Sequence, residues 1–191
     1  MTNYHILKNL PQEFLDLIKE EWLIAKPNLK NSADFSYVVA DKNQDYIYIN
    51  KSHCLHNIVK SFINVPYQGI IFLINNPKSG LGPVHIDANR GCAINIPIEV
   101  DLLNSCYFTA NQECTERPIH PDEGMANKGT KRYLYEPHKY DYYNSRESAL
   151  INTKAPHGFF NFGDTPRVLF SISFGIPYEE VLKELTINDW I

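Results

Sequence analysis

Apolar residues in this chain follow two periods, and the change between them divides the molecule. From Leu10 to Trp22, Leu10, Phe14, Leu15, Ile18 and Trp22 recur at helical spacing, with acids on the other face and Pro11 in the first turn. A helix is predicted there. The run "FSYVVADKNQDYIYI" (35–49) reads as a hairpin, two β-rich stretches around Asp41–Gln44, and "HNIVKSFIN" (56–64) as a short helix. From Gln68 onward the period is that of strands. Candidates are 69–75, 92–100, 105–110, 132–136, 148–153, 157–162 and 167–175, separated by turn residues, before a last helical stretch at 178–185. Many short strands without intervening helices predict an antiparallel sandwich or barrel, with the early helices covering one outer face. The segment Asn111–Lys131, rich in Pro, Gly and charge, breaks this regularity. A structureless loop of that length is uncommon and is typically a lid, a binding loop or disorder; it is the candidate lid.

A length of 191 residues suits one domain, 1–191, since no linker-like run or internal repeat divides it. A net charge of −4 lacks the basic footprint of a nucleic-acid binder. No apolar stretch reaches bilayer length, and "MTNYHILKNL" lacks a signal-peptide pattern, so no membrane partner and a cytoplasmic location are expected. Cys54, Cys92, Cys106 and Cys114 show no CxxC spacing and read as core residues or surface thiols. "KRYLYEPHKYDYYN" (131–144) interleaves basic and aromatic residues as single-strand nucleic-acid binders do. Glu136 and Asp141 dilute that charge, and sheet packing is the simpler reading.

Two H-x-D triplets occur, His85/Asp87 and His120/Asp122. Residues i and i+2 on a strand share a face, so each triplet offers two metal ligands. His120 and Asp122 fall in the irregular segment, whereas His85 and Asp87 lie between two apolar strands, where rigid positioning is available. A second strand-borne histidine, His157, follows in "NTKAPHGFFNFGDTPRVLFSISF". Two histidines and one carboxylate form the facial triad of non-heme iron sites, which leaves adjacent positions open. Arg167 starts the next strand; buried beside such a site it requires an anion, and a dicarboxylic cosubstrate would supply one through a bidentate pair. His157, Phe159 and Asn161 share one face, and Arg167, Leu169, Ser171 and Ser173 another. The two sets meet inside the fold with an odd connection, such as the five residues Phe162–Pro166, or with a bulge.

In the order His85-x-Asp87, His157, then Arg167 with Ser171 in "RVLFS", the chain resembles the iron(II)/2-oxoglutarate-dependent oxygenases, and "PHGFFNFGDTPRVLFSISF" resembles the closing strands of aspartyl/asparaginyl and prolyl hydroxylase-like members. The likeness covers roughly residues 68–176. It implies a mainly β fold: a double-stranded β-helix (jelly roll, cupin-like) core with flanking N-terminal helices and a short C-terminal helix. It implies Fe(II) held by His85, Asp87 and His157, and 2-oxoglutarate bound by Arg167, with Ser171 and Asn95 as further contacts and Asn152 and Asn161 undecided. The implied reaction consumes O2 and hydroxylates an unactivated C–H bond of an amino-acid side chain, a peptide or a small metabolite. Related halogenases carry a small residue where this chain keeps Asp87, which favours hydroxylation. Two alternatives stand beside it: a cupin-like metal protein that does not use 2-oxoglutarate, and a metal-free jelly-roll binding module. In the first, Arg167 would be exposed or paired with an acid; in the second, His85 and His157 would lie apart.

Overall fold

A computed structural model describes residues 2–28, 32–40, 43–101, 105–123 and 129–191. In chain order the strands are β1 (Tyr4–Ile6), β2 (Phe35–Val39), β3 (Gln44–Ile49), β4 (Gly69–Asn75), β5 (Gly80–Leu81), β6 (His85–Ile86), β7 (Cys92–Glu99) and β8 (Ser105–Ala110). They continue with β9 (Glu116–Arg117), β10 (Lys131–Tyr133), β11 (Tyr140–Asn144), β12 (Ala149–Asn152), β13 (His157–Asn161) and β14 (Arg167–Phe174). The helices are α1 (Gln12–Ala25), α2 (Leu55–Phe62) and α3 (Tyr178–Ile187). None is long and apolar enough to cross a membrane.

The described strands form two antiparallel sheets, ordered β1-β12-β7-β14-β4-β3-β2 and β11-β8-β13-β6-β10-β9, with β5 also on β13. Within them, β12-β7-β14-β4 faces β11-β8-β13-β6, and the chain passes repeatedly from one sheet to the other. This is the jelly-roll arrangement the sequence predicts. The hairpin and all three helices are also where expected. Some details differ, and β1 and β5 were not expected from the sequence. The predicted strand 132–136 is confined to Lys131–Tyr133. Strand β11, with its charged and tyrosine-rich sequence, shows too little alternation to be read as one. The segment Asn111–Lys131 is partly regular: β9 pairs with β10, and a 3-10 turn spans Pro121–Glu123. Residues 124–128 of the candidate lid lie outside the described residues.

The larger apolar core does not lie between the sheets. Phe170, Ile172 and Phe174 of β14, Ile70 and Phe72 of β4, and Ile94 of β7 point outward from the sandwich onto Phe14, Ile18, Val59 and Val181 of the helices. Phe170 meets Phe14 and Phe72 edge-on, with centroids 6.4 and 5.6 Å apart. The alternate residues of the same strands therefore line the inter-sheet space, and several are polar: Asn75, Asn95, Arg167 and Ser171 are all buried there. Anchoring one face of the sheet on helices frees the other to hold costly polar groups.

Candidate metal centre

His85 and His157 are directly paired across β6 and β13, which brings their rings to a centroid separation of 4.5 Å. Each ring is oriented by its own backbone. His85 Nδ1–H donates to the Pro83 carbonyl at 2.8 Å, and His157 Nδ1–H donates to that of Ala155 at 2.9 Å. Both Nε2 atoms thus carry the lone pair, the orientation a metal-binding imidazole adopts. Asp87 lies one residue past the end of β6. Its Oδ1 is 3.5 Å from His85 Nε2 and its Oδ2 is 3.8 Å from His157 Nε2. One ligand atom from each of the three residues lies within 4.8 Å of the others.

Electrostatics fit the same use. His157 Nε2 is buried and has no hydrogen-bond partner. Burial first, then repulsion by His85, pushes the His157 pKa down to about 3, so the ring is neutral and its lone pair available. Burial alone would raise the Asp87 carboxyl. The adjacent Arg90 guanidinium leads the opposing effects and holds Asp87 well below the usual carboxylate range.

In a second cluster, Glu21, His53 and Cys54, one ligand atom from each residue also lies within 4.8 Å of the others. Its chemistry differs. His53 Nδ1 accepts the Leu55 N–H at 3.2 Å, so Nε2 holds the proton and faces Glu21 Oε2 at 3.2 Å. Those atoms already form a closed hydrogen-bonded set without a free lone pair on the ring. In the competing triplet, His120 is exposed, its backbone N–H donates to Glu123 at 3.0 Å, and the Asp122 side chain lies outside the described residues.

Arg167 is wholly buried. Its Nη1 donates to Asn75 Oδ1 at 2.5 Å, while Nε and Nη2 have no partner. Its guanidinium carbon lies 5.2 Å from the ring of Tyr107 and 5.8 Å from that of Phe159. Tyr107 in turn stacks beside His157, with centroids 6.0 Å apart. Burial lowers the Arg167 pKa, opposed chiefly by Tyr143 and Tyr107; among the described residues no carboxylate contacts it. The parity expectation is met in a specific way: Phe162–Pro166 provides the five-residue connection, and β13 and β14 face each other from opposite sheets.

The other expected residues divide. Ser171 Oγ–H donates to Asn95 Oδ1 at 2.7 Å across β14 and β7, and both share the face of Arg167. Four residues of strand set Ser171 about 13 Å from Arg167 along β14, so the neighbour of the guanidinium is Asn75 rather than Ser171. Asn161 is structural: its Nδ2 donates to carbonyls of Asn75, Asn76 and Thr165, and its Oδ1 accepts from Gly163 N–H. Asn152 is likewise held in a turn, contacting Asn3 at 3.2 Å and Lys154 N–H at 3.0 Å. Sequence reasoning missed Asn75, Tyr107 and Arg90. Only Asn75 carried a signal, as the lone polar residue closing the apolar run "GIIFLIN".

His85 and Asp87 line a cleft of about 290 Å³ between Tyr46 and Tyr48 of β3, Arg132 of β10 and Phe159, with Thr130 at the return of the candidate lid, while His157 lies buried behind them. A neighbouring recess of about 350 Å³ shares Tyr46, Tyr48, Asp87 and Thr130. A larger concavity of about 680 Å³ beside Gln112–Glu116 includes none of the three triad residues.

No family model and no curated protein matches the sequence. Solved structures do match. Over 90% of this chain and 77% of that chain, with a TM-score of 0.51 and 13% identity, it is similar to the non-heme alpha ketoglutarate dependent epimerase SnoN from nogalamycin biosynthesis. A second SnoN structure, in complex with Fe3+, alpha ketoglutarate and nogalamycin RO, matches with a TM-score of 0.51, 12% identity and coverage of 90% and 78%. HygX from Streptomyces hygroscopicus, with nickel, 2-oxoglutarate and hygromycin B bound, matches over 92% of this chain and 83% of that chain, with a TM-score of 0.50 and 12% identity. Identities this low establish the shared fold: a mainly β, cupin-like double-stranded β-helix.

Proposed function

We propose that this chain is an Fe(II)- and 2-oxoglutarate-dependent dioxygenase that hydroxylates an unactivated C–H bond. The observation that carries the reading is the combination of two features linked through Tyr107, whose ring lies 5.2 Å from the Arg167 guanidinium and stacks beside His157. Two imidazole lone pairs and a carboxylate gather within 4.8 Å, and a buried guanidinium without an acid partner stands nearby. His85, Asp87 and His157 would hold the metal on one face, leaving the remaining positions for cosubstrate and oxygen. When bound, iron with 2-oxoglutarate and O2 supplies the oxidising power that the side chains lack.

The chain's own part is placement. Arg167, oriented by Asn75, would receive the distal carboxylate of 2-oxoglutarate on its two unpartnered N–H groups. Tyr107 and Phe159 wall that pocket against water, and the Ser171–Asn95 pair forms polar wall further along β14. Substrate, an amino-acid side chain, a peptide or a small metabolite, would enter by the cleft at Tyr46 and Tyr48, beneath the Asn111–Lys131 segment. The two neighbours solved with 2-oxoglutarate or alpha ketoglutarate support this cosubstrate. A cytosolic setting agrees with free thiols at Cys54, Cys92, Cys106 and Cys114. A cupin that does not use 2-oxoglutarate would have an exposed or acid-paired Arg167, which is not its environment here.

Succinate release from 2-oxoglutarate in the presence of Fe(II) tests the reading. Wild type should release it, and His85→Ala and Arg167→Ala, verified as folded by circular dichroism, should not. Turnover unchanged by either substitution would defeat the assignment.

A further inference from the structure

Resting on the reading of His85, Asp87 and His157 as metal ligands, we propose that Arg90 is a positioning residue that restricts Asp87 to one oxygen and thereby keeps a coordination position open. A carboxylate beside a metal can bind through one oxygen or two. Three single-atom protein ligands on a six-coordinate ion leave three positions, and a second Asp87 oxygen would take one of them.

Strand pairing does not settle which mode operates, because Asp87 lies beyond the end of β6. Arg90 does. Its Nε–H donates to Asp87 Oδ2, while Oδ1 stays turned to His85 Nε2 at 3.5 Å. Oδ2 is only 3.8 Å from His157 Nε2, so the Arg90 contact, rather than distance, withdraws that oxygen. The guanidinium is anchored at its other edge, where Nη1 donates to Ser173 Oγ on β14 at 3.4 Å.

The backbone of the turn is held just as firmly. Asp87 N–H donates to the Thr153 carbonyl at 3.0 Å, and the Thr153 hydroxyl donates to the Arg90 carbonyl at 2.9 Å. Lys154 Nζ donates to the carbonyls of Asp87 and Ala88, each at 2.9 Å. Gly91 N–H donates to the Phe174 carbonyl at 2.8 Å, and a Cβ at Gly91 would lie 2.1 Å from the Ile176 carbonyl oxygen. Arg90 thus reaches Asp87 from a frame that tolerates little rotation, and it ties the turn to the strand that carries Arg167.

The test is cobalt(II) binding to the full chain without 2-oxoglutarate, followed by calorimetry and by the visible ligand-field spectrum, for wild type, Arg90→Met and Arg90→Lys. Arg90→Met should alter the spectrum, as Oδ2 becomes free to join the ion, and should weaken binding about 10- to 100-fold, because Asp87 is no longer held in its ligating orientation. Lysine keeps the charge but has no fork to span Oδ2 and Ser173, so Arg90→Lys should also weaken binding, by about 10-fold. Added guanidinium ion should restore affinity to an Arg90→Ala variant, which a purely structural role would not produce. If Arg90→Met fails to fold, Arg90→Lys decides. A loss below about 3-fold with an unchanged spectrum overturns the proposal, because outer partners of metal ligands ordinarily contribute more than that. Wild type that binds no cobalt would instead defeat the reading of the triad, and this inference with it.

Discussion

Arg167→Met should stabilise the protein in the absence of cosubstrate while abolishing its response to 2-oxoglutarate. The side chain is completely buried, and its Nε and Nη2 donors are unpartnered. Two orphaned buried donor groups cost about 1–3 kcal/mol each. Against this, the hydrogen bond to Asn75 returns about 1.5–3 kcal/mol, as charged bonds do. The contacts with Tyr107 and Phe159 return about 2 kcal/mol each, as desolvated cation–π contacts do. The charge itself carries a desolvation penalty of several kcal/mol that no described acid offsets. The balance is unfavourable by about 1–3 kcal/mol, and methionine fills most of the space without donors. For a chain of this length that corresponds to a rise of about 3–10 °C in Tm. Thermal unfolding of metal-loaded wild type and variant, with and without 2-oxoglutarate, is the assay. Wild type should gain about 2.7 kcal/mol at a ligand concentration a hundredfold above Kd, and the variant should gain nothing. A variant that is less stable than wild type and still responds to 2-oxoglutarate would refute the reasoning, since Arg167 would then be a structural residue.

Metal-free protein should lose stability as pH falls from neutrality. His157 titrates at about 3 when folded and near 6.5 when exposed, so between those values the unfolded chain binds the extra proton. Its contribution is complete above about pH 6.5 and declines by about 1.4 kcal/mol per pH unit below it. Asp87, depressed in the fold, adds a further loss once pH drops below the ordinary carboxylate range. Urea midpoints between pH 4 and 7.5 should show this slope in wild type and a shallower one in His157→Gln; equal slopes would refute it. Gly158→Ala places a methyl 2.6 Å from Phe108 Cζ, and that ring is fully buried against Tyr140 and Phe160. It should cost about 1–3 kcal/mol by overpacking, measured by urea unfolding, with part of the loss recovered in the double variant with Phe108→Leu.

Much of this architecture was legible because its determinants are local. The alternation at 92–100 and 167–175, and the short apolar run at 69–75 bounded by Gly and Asn, pointed to strands, and the helical period at 10–22 to a helix. The spacing of His85 and Asp87 marked them as a pair, although β6 ends at Ile86 and the turn after it, rather than the pleat, sets Asp87. For His157 and Arg167 the sequence set only a condition, an odd connection or a bulge, and the five residues Phe162–Pro166 meet it. Strand β11 was not legible, because in "YDYYN" the buried rings of Tyr140 and Tyr143 occur among a charge and an exposed tyrosine without alternation. Its burial comes from pairing with β8.

What the chain determines by itself is therefore the list of elements and the facing of each side chain within its own strand, since both follow from backbone geometry over a few residues. The tertiary structure decided which strands are neighbours. That alone sets His157 opposite His85, gives Arg167 an amide in place of an acid, and brings Ser173 to the guanidinium that holds Asp87. It also decided that the apolar outer faces of β4, β7 and β14 would be satisfied by helices, so that their polar inner faces were left to one another. Such contacts join residues far apart in the chain, and their energies exist only once the pairing has formed.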